Sequence, residues 1–488
     1  MKKLLLIITA TLALWAISTF IIGGQTKNQL ENYIDKSNKI YINNGIQLKL
    51  VEYEKSFLNS KAKLEIDIID PQTVKMLDKD YLLPLKIDYT IEHGPLFFQN
   101  GFGIGLSKID NELLLSSIFK EDTKKEFLEL VKGDINLKTE MVLAFSKKLH
   151  YNIKSDKDII VNSDEKTFYM TPLSINGTTN IDTFKGNGVV KIEKLNFKEE
   201  NSSNGIELTN LLVNMSVDEI FKDSLLFGDF KFSVDKIIIK DDTNPKFKKI
   251  NISMDAEMAN KRVSQTTMDS LFQGTINLAN TQLEKEFKEL ESVHISMSMK
   301  ELGIEGMSEF QKVAQNIQEK QSKLMSELKT QNSNEMQETV KKIRKLEENI
   351  VQEFIPVFNK LLIKDKTNIS YELGINTKDK ASSQASVQIG YQGDIEFKGS
   401  LEELTKKIKT KILSLININV DVTLNKKHLP IIPIPMLKQQ LQMGVAQGFV
   451  KENNSSYSLN GYYKNRELMV NDNNLTSTVL PLLMMLAH

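Results

Sequence analysis

The sequence predicts an α+β protein: an N-terminal transmembrane helix, then a large, mostly antiparallel, curved β-sheet with an amphipathic helical pair and a shorter C-terminal helix packed on its apolar face. Three observations lead there. Many short stretches alternate apolar and polar residues, as strands with one buried face do; strands buried on both faces read as continuous apolar runs. From Met307 to about Leu362 the apolar residues recur instead at three and four, the stripe of an amphipathic helix. An uncharged run, Leu4 to Gly24, follows Met1-Lys2-Lys3.

That run is the first element. About 20 apolar residues cross a bilayer as a helix, whereas the core of a signal peptide holds about 7–15 and ends in a small-residue cleavage site. The run ends "STFIIGGQ", with no such site. Residues 1–24 are read as an uncleaved signal-anchor, with Lys2 and Lys3 cytoplasmic and the rest of the chain outside; a cleaved signal is the alternative. Residues 25–45 follow as a membrane-proximal helix and linker, with Leu30, Tyr33 and Ile34 near helical spacing.

Residues 46–306 form an antiparallel β-rich region. "KLEIDI", "DFKFSV" and "SVHISMSM" alternate cleanly, and "KIII" continues after "DFKFSV" on a shifted phase near Lys236, the mark of a bulge or bend. Residues 307–363 form the helical pair. The polar stretch Lys329 to Glu335 is read as its turn, because Asn and Ser side chains compete for backbone bonds. Ile317, Leu324, Val340, Ile343 and Phe354 are expected to face the sheet. Residues 364–488 form a C-terminal β-rich region. In it "LININVDVTL" is a strand, "HLPIIPIP" is held extended by its prolines, a helix spans Met436 to Lys451, and "YSLNGYY" turns back into "ELMV". The apolar end, Thr478 to Ala487, contains Pro481 and is too short to span a membrane; Leu480 to Leu486 is expected to dock on the sheet or touch the membrane surface. No internal repeat emerges from these patterns.

Composition narrows the function. Lys plus Arg equals Asp plus Glu, 63 each in 488 residues, so the basic field that nucleic-acid binding requires is missing. There is no cysteine, which excludes disulfides, thiolate metal sites and thiol nucleophiles. His150, His294, His428 and His488 show no ligand spacing, so neither a metal nor a cofactor is expected.

The sharpest motif is "EHGP", Glu92-His93-Gly94-Pro95. Ile87, Tyr89 and Ile91 alternate into it, placing His93 at a strand end. Gly94-Pro95 stops the ladder there, since proline has no N–H to donate. The imidazole is expected to bond a nearby carbonyl or Glu92 and lock a turn. As a general base tuned by Glu92 it would need a nucleophile, and no G-x-S-x-G or H-E-x-x-H accompanies it. Gly101, Gly103 and Gly105 do not match a phosphate-binding loop.

With these residues in view, the chain resembles the YdgA-like family of Gram-negative bacteria, a domain of unknown function. The features that carry the resemblance are the N-terminal anchor, "YEKSFLNSKAKLEI", "EHGPL", "LLFGDFKFSVDKIII", the paired helices and "YSLNGYYKNRELMVND". Lys55-Ser56 stands where that family usually has an arginine-glycine pair. The resemblance implies an inner-membrane-anchored protein, single pass with the N-terminus cytoplasmic and the bulk of the chain periplasmic; it implies no catalytic residue. The expected function is therefore non-enzymatic: an envelope scaffold, or a protein binding lipid or another apolar ligand, with the inner membrane and a second copy of the chain as further partners. The alternative is an envelope hydrolase using His93.

Overall fold

The structure is a computed structural model. It describes residues 18, 22, 24–40, 42, 45–98, 102–163, 166–199, 202, 204–222, 225–241, 249–278, 289–328, 333–393, 403, 414–432 and 434–477. The chain divides into two compact units, Met1–Asp223 and Ser224–His488. The fold is α+β and its sheets are mostly antiparallel, because consecutive strands pair through short connections. Among the described residues no helix is long and apolar enough to cross a membrane; nearly all of Leu4 to Gly24 lies outside them.

Unit 1 begins with helix α1, residues 24–40. Its strands are β1 (Ile46–Lys55), β2 (Asn59–Ile68), β3 (Leu85–His93), β4 (Leu96–Phe97), β5 (Gly103–Ile104), β6 (Ser107–Leu114), β7 (Asn136–Leu143), β8 (Lys148–Ser155), β9 (Ile159–Ser163), β10 (Lys166–Met170), β11 (Ser174–Asn180), β12 (Gly186–Glu199), β13 (Gly205–Val217) and β14 (Glu219–Phe221), with helices α2 (Pro71–Leu77) and α3 (Glu121–Leu130) between them. The ladder runs β1-β2-β3-β6-β7-β8-β11-β12-β13, every pair antiparallel. α1 covers one face of it. Asn38 ties the helix to β1: its side chain accepts from the Leu48 N–H at 2.8 Å and donates to the Leu48 carbonyl at 2.9 Å. Two ladder groups of β1 are thereby satisfied on the side away from β2.

Unit 2 contains β15 (Leu225–Lys240), β16 (Lys249–Arg262), β17 (Thr267–Asn277), β18 (Leu290–Gly303), β19 (Asn368–Thr377), β20 (Ser382–Tyr391), β21 (Ile416–Asn425), β22 (Lys451–Glu452), β23 (Ser456–Lys464), β24 (Glu467–Val470) and β25 (Asn473–Asn474). Neighbours from β15 to β21 pair antiparallel, β21 then pairs β23, and β24 and β25 complete the hairpin end. The phase shift near Lys236 is a register irregularity between Val234 and Ile237. It keeps Ile237 and Ile239 on the face of Phe230 and Phe232 despite the odd numbering.

Helices α4 (Ile304–Leu328) and α5 (Ser333–Leu361) lie between β18 and β19 in sequence. Those two strands pair directly, so the helices are an excursion from the end of one ladder. They pack mainly on each other. Phe310 and Phe354 stack 4.7 Å apart, and Lys320 bridges Glu353 at 2.8 Å. Contact with the sheet gathers at β15 and β18. Phe354 thus meets Phe310 rather than a strand, Ile317 is buried, Leu324 is half-buried and Val340 is 43% exposed; the Ile343 side chain lies outside the described residues. Two apolar stripes can satisfy each other, which leaves the strands to other elements. Gly306 makes the base of the pair possible: a Cβ there would stand 2.3 Å from the Leu361 nitrogen.

The stretch expected to be extended, "HLPIIPIP", turns instead over His428 to Ile432. The Asn425 side chain caps a 3-10 turn over Lys426–His428, and the Ile431 N–H bonds the His428 carbonyl at 3.0 Å. A side-chain cap competes with extended backbone in this way. Helix α6, Leu437–Ala446, follows. The segment from Thr478 onward, and with it the expected docking of Leu480 to Leu486, lies outside the described residues.

Candidate functional site

Cross-strand register lines up the apolar residues of unit 2. Phe230, Met258, Phe272, Met297, Tyr371, Val387 and Val420 are successive partners across seven strands. Phe232, Ala256, Gly274, Ile295, Leu373, Ala385, Val422 and Leu459 form the adjacent row. Because side chains alternate, the other face carries Lys231, Glu257 and Gln273, joined by an ion pair and hydrogen bonds, and Ser298 with Ser370 at 2.7 Å. One face is therefore polar and carries pairs of its own. The other is apolar, and Met258, Phe272, Ile295, Tyr371 and Leu373 on it are 41–49% exposed.

Part of this apolar face is roofed. Leu437 and Leu441 of α6, with Ile432 and Ile434, stand over Leu373, Ile375, Ala385, Val422, Leu424 and Leu459, leaving an open apolar cleft of about 350 Å³. In unit 1, Leu30, Tyr33 and Ile34 of α1 stand over Leu50, Ala62, Leu64, Tyr89, Ile91, Ile109 and Met141 around a smaller cavity of about 130 Å³.

The "EHGP" residues lie beside that cavity without lining it. His93 ends β3 and is 1% exposed. Its Nδ1 is 3.4 Å from the Phe57 carbonyl, which can only accept, so Nδ1 carries the proton. Nε2 then accepts from the Ser60 hydroxyl at 2.8 Å. Ser60, also 1% exposed, is hydrogen-bonded in turn to Tyr53. Burial holds His93 below the ordinary imidazole value, against the Phe57 carbonyl that favours its charge. Glu92 points to the opposite face, as the next residue of a strand must. Its Oε1 accepts from the Phe98 N–H at 2.8 Å, and it stands opposite Lys108, which bridges Glu140. Of the two expected partners, a nearby carbonyl or Glu92, the ring takes the carbonyl, that of Phe57, and adds Ser60. Gly94 and Pro95 join through a cis peptide bond. Gly94 lies so close to the next segment that a Cβ would stand 1.7 Å from the Gly105 carbonyl oxygen.

A family model for bacterial proteins of unknown function, DUF945, matches residues 1–477. The chain belongs to that family. No curated protein matches it and no solved structure does. The family description assigns no activity, so the site of this DUF945 chain rests on its own geometry.

One residue that sequence reasoning set aside proves to be built like His93. His428 is fully buried. Its Nδ1 lies 2.6 Å from the Ser383 hydroxyl and its Nε2 3.3 Å from Thr377 Oγ1. Thr377 gives its own proton to Asp379 at 2.7 Å, so Nε2–H donates and Nδ1 accepts from Ser383. Burial again holds the imidazole below its ordinary value, partly opposed by Asp379. The available signal was the shared spacing H-x-P in His93-Gly94-Pro95 and His428-Leu429-Pro430. Among the described residues no group of His, Asp and Glu has the arrangement of a metal site.

Proposed function

We propose that this DUF945 protein is a non-enzymatic, membrane-anchored component of the cell envelope. Its N-terminus is cytoplasmic, its sheets are periplasmic, and unit 2 binds a lipid or another apolar ligand. One observation carries the reading: two adjacent apolar rows of seven and eight residues, with Met258, Phe272, Ile295, Tyr371 and Leu373 exposed on them. Soluble monomers rarely leave a contiguous apolar patch of more than a few hundred Å² uncovered unless something binds there. A sheet whose opposite face is polar gains most by covering this one with hydrocarbon. The expected result is that full-length protein isolated from membranes carries lipid detectable by mass spectrometry. Phe272→Glu and Leu373→Glu, on the exposed rows, should lose that lipid while keeping the far-ultraviolet dichroism of the parent. Lipid retained by both variants would sink the reading and leave an envelope scaffold.

The hydrolase reading rests on Ser60 donating to His93, the geometry of an activated nucleophile. Both groups are 1% exposed, and a carbonyl rather than a carboxylate orients the ring. That supports a structural corner. A His93→Ala variant that melts like the parent yet loses a biological phenotype would restore the hydrolase reading.

A further inference from the structure

The second histidine corner belongs to a larger correspondence. In β2, Ser60, Ala62, Leu64 and Ile66 occupy alternate positions; in β20, Ser383, Ala385, Val387 and Ile389 do. β3 carries Asp88-Tyr89-Thr90-Ile91 ahead of His93-Gly94-Pro95-Leu96, and β21 carries Asp421-Val422-Thr423-Leu424 ahead of His428-Leu429-Pro430-Ile431. Ile91 pairs Ile109 of β6 and Leu424 pairs Tyr457 of β23, so Ile109 and Tyr457 hold the matching place on the fourth strand.

Contacts repeat with the residues. Ser60 bonds His93 as Ser383 bonds His428. Antiparallel order repeats as well, β1-β2-β3-β6 in one unit and β19-β20-β21-β23 in the other. Two additional residues, Lys426 and Lys427, lengthen the second corner. The roofs differ: α1 precedes the first strand of its set, whereas α6 lies between the third and fourth.

We infer that the two units carry copies of one four-strand module, and that the cavity of unit 1 is a second binding site for the end of a hydrocarbon chain, the counterpart of the cleft in unit 2. Three matched pairs line the two spaces: Ala62 with Ala385, Tyr89 with Val422, and Ile91 with Leu424. The unit 1 cavity, about 130 Å³, has almost entirely apolar walls. Water needs two to four polar partners to occupy such a space, and apolar cavities of about 150 Å³ stay dry and accept small hydrocarbons. A void loses the dispersion contacts that its lining would otherwise make, and a chain of methylenes restores them. The ligand class rests on the proposed function.

The test uses the full-length protein in membranes and palmitate carrying a terminal diazirine, with labelled peptides mapped after irradiation. Label is expected in both units, at cavity residues such as Met141 or Leu149 and at cleft residues such as Leu441 or Val450, and excess palmitate should suppress both. Ala62→Leu should lose the unit 1 label alone, and Ala385→Leu the unit 2 label alone. The labelling pattern of the unmodified chain decides the matter even where a variant fails to fold. Label confined to unit 2 overturns the second site and leaves the proposed function standing. Label in neither unit, or label indifferent to excess palmitate, overturns both.

Discussion

His93 and His428 sit where burial and their hydrogen bonds favour the neutral ring. Each accepts a serine hydroxyl proton on one nitrogen and donates from the other, and each lies below the ordinary value of 6.5 through burial. Protonation would set a second N–H against the serine proton in a buried site. The sign follows from linkage. The folded value is depressed, so the unfolded chain binds more protons as the medium acidifies. The stabilisation is present above pH 6.5 and is lost as pH falls through the lower folded values. Urea midpoints should therefore drop on acidification from pH 7, and the double variant His93→Ala, His428→Ala should show a shallower drop. A second outcome concerns the partners. Ser60→Ala, like Ser383→Ala, strands a buried ring nitrogen and should cost about 1–3 kcal/mol in chemical denaturation. The turn histidine was legible because glycine and proline follow His93 and stop the ladder. Its partner was not, because Ser60 stands 33 positions away and only strand pairing brings it close.

The elements show what periodicity decides by itself. Alternation located β2, β15, β18 and β21, and the broken phase at Lys236 located the irregularity in β15, since a period of two leaves no choice of face once one side is apolar. Spacing at three and four located α4 and α5 equally well. It did not say which surface would satisfy them, because an apolar stripe fits a sheet or another helix alike. Side chains near Phe310 and Phe354 settled that choice, and the close approach at Gly306 fixed the base. Gly306→Ala should push α4 away from Leu361 and cost about 1–3 kcal/mol, read as a lower thermal midpoint with the sheet signal retained; an unchanged midpoint would remove the packing role assigned to this glycine. The turn after β21 escaped prediction for a different reason: the Asn425 cap is local, but the burial of His428 that rewards it comes from β19 and β20.

For the whole molecule, the anchor and the uncovered apolar face belong to one prediction about place. Full-length protein should stay with the membrane through carbonate washing and should begin at its own N-terminal residues. Release by the wash, or a mature start after Gly24, would remove the anchor. A membrane-tethered sheet with exposed Phe272, Ile295 and Leu373 would stand close to the hydrocarbon that the proposed function requires.

Sequence alone determined the α+β class, the antiparallel pairing of one-sided strands, the two long helices and the end of β3 at His93, because each is a local consequence of hydrophobic period or of glycine and proline chemistry. Tertiary structure alone decided that α4 and α5 pack mainly on each other, that α1 and α6 roof the apolar spaces, and that Ser60 and Ser383 complete the histidine corners. It also made the repeat visible, since the matched residues are few and far apart and acquire meaning only when their contacts coincide. The physical reason is common to all of these: a period says that a face must be buried, and only the folded chain says against what.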